Sequence, residues 1–437
     1  MQVSSSPAEV YNTTPHAEAA PLPENIGMQG GLGSWHHRAI LDFFGIALDS
    51  ARAVEAQSHL VQHETHDDLV ASLSNGETDI AMIAVDNNNS GRVTSAIEAL
   101  RRNPKLRILG KIALTIEQRL LLHLNHALED IEQVASQRPA LDQAAGKIAL
   151  HEWLELERAD TAGSAFEVAK ADGIVEGFDG VKRPTAAIAS ELAGKLAGLA
   201  IGDVLSPPGN ATTFWLVTSD PEKYEAKFTP NATHAAITFS VPNRKGSLLE
   251  MVRTFSEAGF DFTDIDSHLA SEGDTRSFFA ELKFNGDANA AKFKALVDSM
   301  REAHHEIEVL GTYEDRTADS VHTTSVHNRQ EATTPAVHEL WRSREGVTYD
   351  EGSPVVYVQA TNQVGSLQGM LEQFDALDIN LVDMSRPYMP DTNGSRGFYF
   401  VLEQGADSKQ AAQLLRDVGY SVEQYTYRDE ALEESAA

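Results

Sequence analysis

The residues with the clearest chemical meaning occur twice. Gly246-Ser247-Leu248-Leu249 lies 15 residues before Asp261-Phe262-Thr263-Asp264-Ile265, and Gly365-Ser366-Leu367 lies 15 residues before Asn380-Leu381-Val382-Asp383-Met384. One offset, 119 residues, relates both pairs of landmarks. Each copy reads strand, Gly-Ser-Leu, amphipathic helix, strand, then a strand rich in Phe. A helix start presents unpaired backbone N–H groups, which suit a carboxylate. The pattern therefore predicts two small βαββαβ modules that sense a ligand. Histidines are the other chemical candidates: His36-His37, and His63 with His66. Adjacent histidines diverge on a helix, whereas an i, i+3 pair shares a face. With no cysteine and no His-Glu-x-x-His motif, neither a metal centre nor thiol chemistry is expected, and no cofactor is implied.

Composition bounds what can position these residues. A chain of 437 residues exceeds one core and predicts several domains. Apolar residues make up 42% and are spread along the chain, so both halves can bury a core. The formal charge of −30 is distributed rather than clustered, which argues against nucleic acid or an anionic membrane as partner. No apolar run approaches the roughly 20 residues that span a bilayer. Met1 to Pro23 has neither the basic nor the apolar region of a secretory signal, so a cytoplasmic location is expected.

Residues 1–24 read as a disordered tail. The block 25–222 alternates short apolar strands with helical patterns. Ile80 to Val85 reads as a buried strand ended by the turn cluster Asp86-Asn87-Asn88-Asn89, with a helix over Thr94–Arg102. Leu106–Gly110 and Ile112–Ile116 read as two strands, Thr185–Leu199 as an Ala-rich helix, and Thr213–Val217 as a strand. The alternation predicts a two-lobed, parallel α/β architecture with its site at the strand C-ends. Pro221 to Pro230 links to a first module at 233–315. Residues 316–350 are polar and patternless, a second module spans 353–428, and 429–437 is an acidic tail.

Six short motifs in the large block, taken in order, resemble the prephenate dehydratase family. Gly30-Gly31-Leu32-Gly33-Ser34-Trp35 is similar to the family's Gly-Pro-x-Gly-Thr-Phe start. Asp79 to Val93 follows Asp-x₄-Pro-x-Glu-Asn-Ser-x-x-Gly-x-Val, with Ala84 for Pro, Asp86 for Glu, Asn87 kept, Asn88 for Ser, and Gly91 and Val93 kept. Ser136 to Gln143 resembles Ser-His-Pro-Gln-Ala-Leu-x-Gln, and Asp160-Thr161-Ala162 resembles Ser-Thr-Ala. Ala186-Ala187-Ile188-Ala189-Ser190 matches Ala-Ala-Ile-Ala-Ser. Asn210-Ala211-Thr212-Thr213-Phe214 resembles Asn-x-Thr-Arg-Phe, with Thr213 in place of arginine. The repeated modules resemble ACT domains, the second being additional to the family's usual order.

The resemblance implies a lyase that converts prephenate to phenylpyruvate, water and carbon dioxide. Such chemistry needs one proton donor for the departing hydroxyl and donors that hold two carboxylates. It assigns the proton to Thr212, beside Asn87. Ser34, Asp86, Asn88, Ser136, Thr161 and Phe214 fall on substrate-site positions. Without the motif arginine, Arg92, Lys182 and Arg183 are the other candidates for the carboxylate clamp, ordinary surface placement being the alternative reading of each. Decarboxylation without aromatisation, arogenate as substrate, and a silent amino-acid sensor remain open alternatives. For the modules, the resemblance implies a phenylalanine effector at Gly246, Ser247, Leu248, Asp266 and Ser267, and at Gly365, Ser366, Leu367, Ser385 and Arg386. A homo-oligomer is expected, although two copies in one chain could pair with each other.

Overall fold

The computed structural model describes residues 22–87, 91–207, 209–268, 275–303, 305–317, 352–361, 365–385, 395–428 and 431–434. The first lobe contains β1 (Ile26–Gln29), α1 (Trp35–Phe43), α2 (Ala51–Gln57), β2 (Leu60–His63), α3 (His66–Asn75), β3 (Ile80–Asn87), β4 (Gly91–Arg92), α4 (Thr94–Arg101) and β5 (Arg107–Thr115). The chain then builds a second lobe. This comprises β6 (Arg119–Leu122), β7 (Gln133–Ser136), α5 (Arg138–His151), β8 (Leu154–Glu157), α6 (Thr161–Lys170), β9 (Ile174–Glu176), β10 (Lys182–Ala189), α7 (Glu191–Ala197) and β11 (Ala200–Val204). It returns to the first lobe as β12 (Ala211–Thr218) and α8 (Pro221–Phe228).

Several expectations are corrected here. The sheets are mixed, not parallel: β12 runs antiparallel between β3 and β5, and β6 runs antiparallel to β10. The reason is connectivity. β5 and β12 form one long hairpin with the second lobe inserted at its tip, closed by the Ile116 N–H donating to the Asn210 carbonyl at 2.7 Å. Leu106 to Ile116 gives one strand, not two. Gly110 does not break it; a Cβ there would lie 2.4 Å from the Phe43 ring, so the glycine admits the ring against the strand. Residues 185–189 are strand, not helix. Ala186, Ala187, Ile188 and Ala189 are all fully buried in β10, between β6 and β7, and this burial outweighs alanine's helix propensity. The helix begins only after Ser190, whose side chain accepts from the Ala193 N–H. The link after residue 220 is itself helical: α8 buries Tyr224 and Phe228 in the first-lobe core.

The first module contains β13 (His234–Pro242), α9 (Ser247–Glu257), β14 (Phe260–His268), β15 (Thr275–Phe284), α10 (Ala290–Glu302) and β16 (Glu306–Asp315). The second contains β17 (Pro354–Thr361), α11 (Ser366–Ala376), β18 (Leu381–Ser385), β19 (Ser395–Leu402), α12 (Ser408–Asp417) and β20 (Ser421–Arg428). A further strand, β21 (Ala431–Glu434), pairs with β20 in the stretch expected to be a tail. Both modules are βαββαβ. Their sheets join edge to edge where Asp266 of β14 pairs with Ser385 of β18, giving the continuous order β16-β13-β15-β14-β18-β19-β17-β20. The two modules share one core, with Phe255, Phe260, Phe262, Phe374, Phe398 and Phe400 all buried in it.

The first module also joins the catalytic block. Glu314 and Asp315 of β16 pair in parallel with Gly110 and Lys111 of β5. At that seam, Lys111 donates to Glu281 Oε2 at 2.9 Å and stands 3.9 Å from Asp315, and the Tyr313 hydroxyl donates to Glu281 Oε1. Burial pushes the Lys111 ammonium down, but the carboxylates of Glu281 and Asp315 outweigh it and hold its pKa above the usual lysine value.

Candidate functional site

Among the described residues, two of the hydrogen-bonded connections between the lobes are made by motif residues, and the side chains that meet there come from four of the six motifs; a Lys195–Asp49 ion pair and the packing of Leu192 against Leu41 and Ile46 also cross. Asn87 ends β3 and Thr212 opens β12, directly opposite it in register. A bulge follows: Thr213 pairs with Asp86 but Phe214 pairs with Ala84, which leaves Val85 unopposed and re-aims the strand ends. The Asn87 carboxamide then forks. Its Nδ2 donates to Asn210 Oδ1 and to Thr212 Oγ1, both at 2.9 Å. Asn210 is fully buried and donates through Nδ2 to Gln143 Oε1 on α5 of the second lobe, at 3.1 Å. Both Asn87 protons are committed, and Thr212 Oγ1 receives one of them. The Thr212 proton is thereby left for a different acceptor.

The glycine loop forms the other interlobe contact. The Ser190 hydroxyl donates to the Gly33 carbonyl at 2.6 Å, and the Gly33 N–H donates to His37 Nδ1 at 3.0 Å. A Cβ on Gly33 would lie 2.7 Å from the Ala193 Cα, and its φ is +85°, so only glycine fits both the turn and the approach of α7. Burial lowers His37 to a pKa of about 4, which keeps the ring neutral and its Nδ1 an acceptor. Burial, with a smaller contribution from His66, lowers His36 to about 3, and its Nε2 accepts from the Ala84 N–H at 3.2 Å. His63 bonds Ser72 and His66 bonds Ser95. One nitrogen of each ring thus has a backbone or hydroxyl partner, while the buried Nε2 atoms of His37 and His66 have none among the described residues.

The remaining expected site residues are more scattered. Ser34 is half-buried and caps α1, accepting from the His37 N–H at 3.3 Å. Asp86 faces Thr213 on one side and Arg92 on the other in strand register. Ser136 is fully buried and donates to the Ile188 carbonyl at 2.6 Å, tying β7 to β10. Thr161 is the first residue of α6, whose cap is Asp160. Phe214 is not brought to the fork; it packs in the first-lobe core, edge-on to His36. Asn88 lies outside the described residues. Of the alternative cations, Arg183 is bound to Asp179 at the start of β10, at the opposite end of the strand from Ser190. Asn210, Gln143 and Ser190 were not on the expected list. The signal was present, since each is a retained residue of a motif whose role had been given to a neighbour.

The modules hold a second site. A shallow cleft, partly open to solvent, lies between them. Gly246, Ser247 and Leu248 line one wall, with Asn243, Arg244 and Arg276 beside them; Leu371, Phe374, Asp375, Asn380 and Leu381 of the second module line the other. Asp266 and Ser267 do not line it, since β14 uses Asp266 to pair with Ser385. Gly365 and Ser366 start α11 elsewhere on the interface, and Leu367 is buried in the shared core. Arg386 lies outside the described residues.

Comparison with known proteins gives a consistent result. Residues 26–222 match the family model described as prephenate dehydratase. A prephenate dehydratase of Lactococcus lactis is 23% identical over 268 residues, covering 60% of this chain and 91% of the relative. A solved structure described as a novel type of quorum-quenching acylase aligns with TM-score 0.52 at 23% identity, covering 66% of this chain and 97% of that one. Prephenate dehydratase from Arthrobacter aurescens, solved in complex with L-Phe, aligns with TM-score 0.51 at 20% identity, covering 67% of this chain and 90% of that one. At these identities the structural matches speak for the fold.

Proposed function

We propose that the chain, whose residues 26–222 match the prephenate dehydratase family model, converts prephenate to phenylpyruvate, water and carbon dioxide, with Thr212 as proton donor. The observation that carries this assignment is the Asn87 fork. By donating to Thr212 Oγ1, Asn87 restrains the hydroxyl's rotor, so that its proton is directed away from the fork, to where the substrate is proposed to bind. Accepting that bond also stabilises the oxygen as its proton departs.

The step balances as follows. The ring carboxylate's C–C bond breaks and carbon dioxide leaves. That electron pair becomes the last π bond of the aromatic ring. The ring hydroxyl departs with its own bonding pair and takes the Thr212 proton to leave as water. Solvent then returns a proton to Thr212. Aromatisation supplies the driving force, so the protein need only orient the groups and supply the proton.

Arg92, which strand register sets opposite Asp86, is the proposed clamp for the carboxylates. Arg183 is the weaker candidate because it sits at the start of β10, at the far end of the strand from Ser190. The pocket between the modules is assigned to an apolar amino-acid effector, phenylalanine first, because apolar walls there meet a helix start and two arginines. Among the described residues no helix is long and apolar enough to cross a membrane, and cytoplasmic action is proposed.

The deciding experiment is incubation of purified protein with prephenate and identification of the product. Phenylpyruvate, with kcat reduced at least a hundredfold in Thr212→Ala, supports the assignment. A non-aromatic decarboxylated acid, or unchanged turnover in Thr212→Ala, removes Thr212 from the role.

A further inference from the structure

The 119-residue offset pairs Gly246 with Gly365 and Asp261 with Asn380. The module interface therefore contains two related places. Each is formed by the Gly-Ser-Leu helix start of one module and the second-strand start of the other. The two glycines have nearly the same backbone, with φ of +78° and +81°. Their surroundings differ. At the first place, Asn380 of the second module lines the open pocket beside Gly246, and its carboxamide reaches Asn243 Oδ1 at 3.5 Å. At the second place, Asp261 of the first module is 5% exposed, and the Gly365 N–H donates to its Oδ1 at 3.3 Å. A carboxylate of the protein already occupies that helix start.

The chemistry of the two residues explains the difference. A helix N-terminus favours negative charge, and an aspartate provides it in the manner of a ligand carboxylate. An asparagine provides none, so the first helix start stays available. Both signs of charge also line the first place. Arg244, paired with Glu250, and Arg276, which donates to Asn243 Oδ1, stand on one side, and Asp375 Oδ1 lies 2.9 Å from where a Cβ on Gly246 would stand. Leu248, Leu371 and Phe374 complete an apolar wall.

Building on the effector reading above, we propose that Asp261 is a built-in carboxylate ligand that closes the second place, so that each chain binds one apolar α-amino acid, at the first. The test is calorimetric titration of phenylalanine into the full chain. The expected stoichiometry is one per chain, rising to two in Asp261→Asn, which gives the second place the residue found at the first. Gly246→Val should abolish binding and Gly365→Val should leave it within about threefold. Two sites in the unaltered chain, one site in a folded Asp261→Asn, or loss of binding in Gly365→Val each overturn the plug. If Asp261→Asn does not fold, the two valine variants decide. Absence of binding by phenylalanine, tyrosine and tryptophan alike overturns the effector reading itself, and this proposal with it.

Discussion

Replacing Asn87 by aspartate tests the fork more sharply than removing it. The substitution is nearly isosteric, and the side chain is only 9% exposed, so the packing is preserved. What changes is donor count. Asparagine Nδ2 gives one proton to Asn210 Oδ1 and one to Thr212 Oγ1; an aspartate has none to give. Asn210 Oδ1, fully buried, then faces an acceptor, at a cost of about 1–3 kcal/mol. Thr212 responds by turning its hydroxyl to donate to the new carboxylate. The proton that should reach the substrate is diverted, and general-acid assistance of about 10²–10⁴ in rate is lost. At about 1.4 kcal/mol per decade, that is about 3–5 kcal/mol of barrier. Asn87→Ala behaves differently: it loses the orientation but leaves the Thr212 proton free, so kcat should fall only about tenfold. The expected order is therefore wild type, then Asn87→Ala, then Asn87→Asp at least tenfold lower again. Initial rates of phenylpyruvate formation under saturating prephenate give kcat, and thermal unfolding verifies the fold. If Asn87→Asp turns over as fast as Asn87→Ala, the fork does not direct the Thr212 proton and the mechanism is wrong.

Three other outcomes follow from the same contacts. Arg92→Ala should lower kcat/KM about 10- to 100-fold, the worth of one charge-assisted bond at about 1.5–3 kcal/mol, while Arg183→Ala leaves turnover unchanged; equal effects would refute the clamp. Glu281→Ala leaves the Lys111 ammonium with Asp315 as its remaining carboxylate and the Tyr313 hydroxyl without its acceptor, and should cost about 1–3 kcal/mol in urea unfolding; a loss in the Lys111→Met, Glu281→Ala double variant equal to the sum of the single losses would show the pair is not coupled. Stability should also fall on acidification. His37 has a folded pKa of about 4 against 6.5 unfolded, so the unfolded chain binds more protons between those values and stability drops as pH falls from about 6.5 toward 4. Linkage gives about 2 kcal/mol lost per such histidine between pH 7 and 5, with His36 and His234 adding to it, and His37→Asn should remove its share of the loss in urea midpoints measured at both pH values.

How far the sequence reveals this molecule depends on whether the deciding contacts are local. The modules are legible because a helix start at Gly246 or Gly365, and the strand pattern after it, are set by neighbours in the chain. The Asn87–Thr212 fork is legible only as two motifs, since 125 residues separate its members. Asn210 and Gln143 were visible as retained motif residues, but their bond links the lobes and has no sequence signature. Residues 185–189 misled because alanine favours helix in isolation, while the structure uses its small side chain to bury a strand on both faces. Phe214 misled differently: its closeness to Thr212 in the motif suggested a pocket wall, yet it completes the core against which His36 packs.

The pairing of the modules raises a question of symmetry rather than stability. Two single-module chains that paired in this way about a twofold axis would present two identical places, because any residue at one is repeated at the other. Placing both modules in one chain removes that constraint. Position 261 can be aspartate while position 380 is asparagine, and the two helix starts then differ in charge without any change in backbone. The junction with the catalytic block is equally one-sided: among the described residues it is β16 of the first module that pairs with β5, and Glu281 and Asp315 of that module that meet Lys111. The open pocket draws its Gly-Ser-Leu wall from that same module. An effector bound there would contact β13, which pairs with the seam strand β16, and β15, which carries Glu281, and β5 in turn pairs with β12, which carries Thr212. The second place would act on β17 and β18, which among the described residues do not pair with a strand of the catalytic block. A ligand can shift an equilibrium only where its contacts differ between states. Closing the second place with Asp261 therefore removes the site farther along the sheet from Thr212 and keeps the one whose walls adjoin the seam.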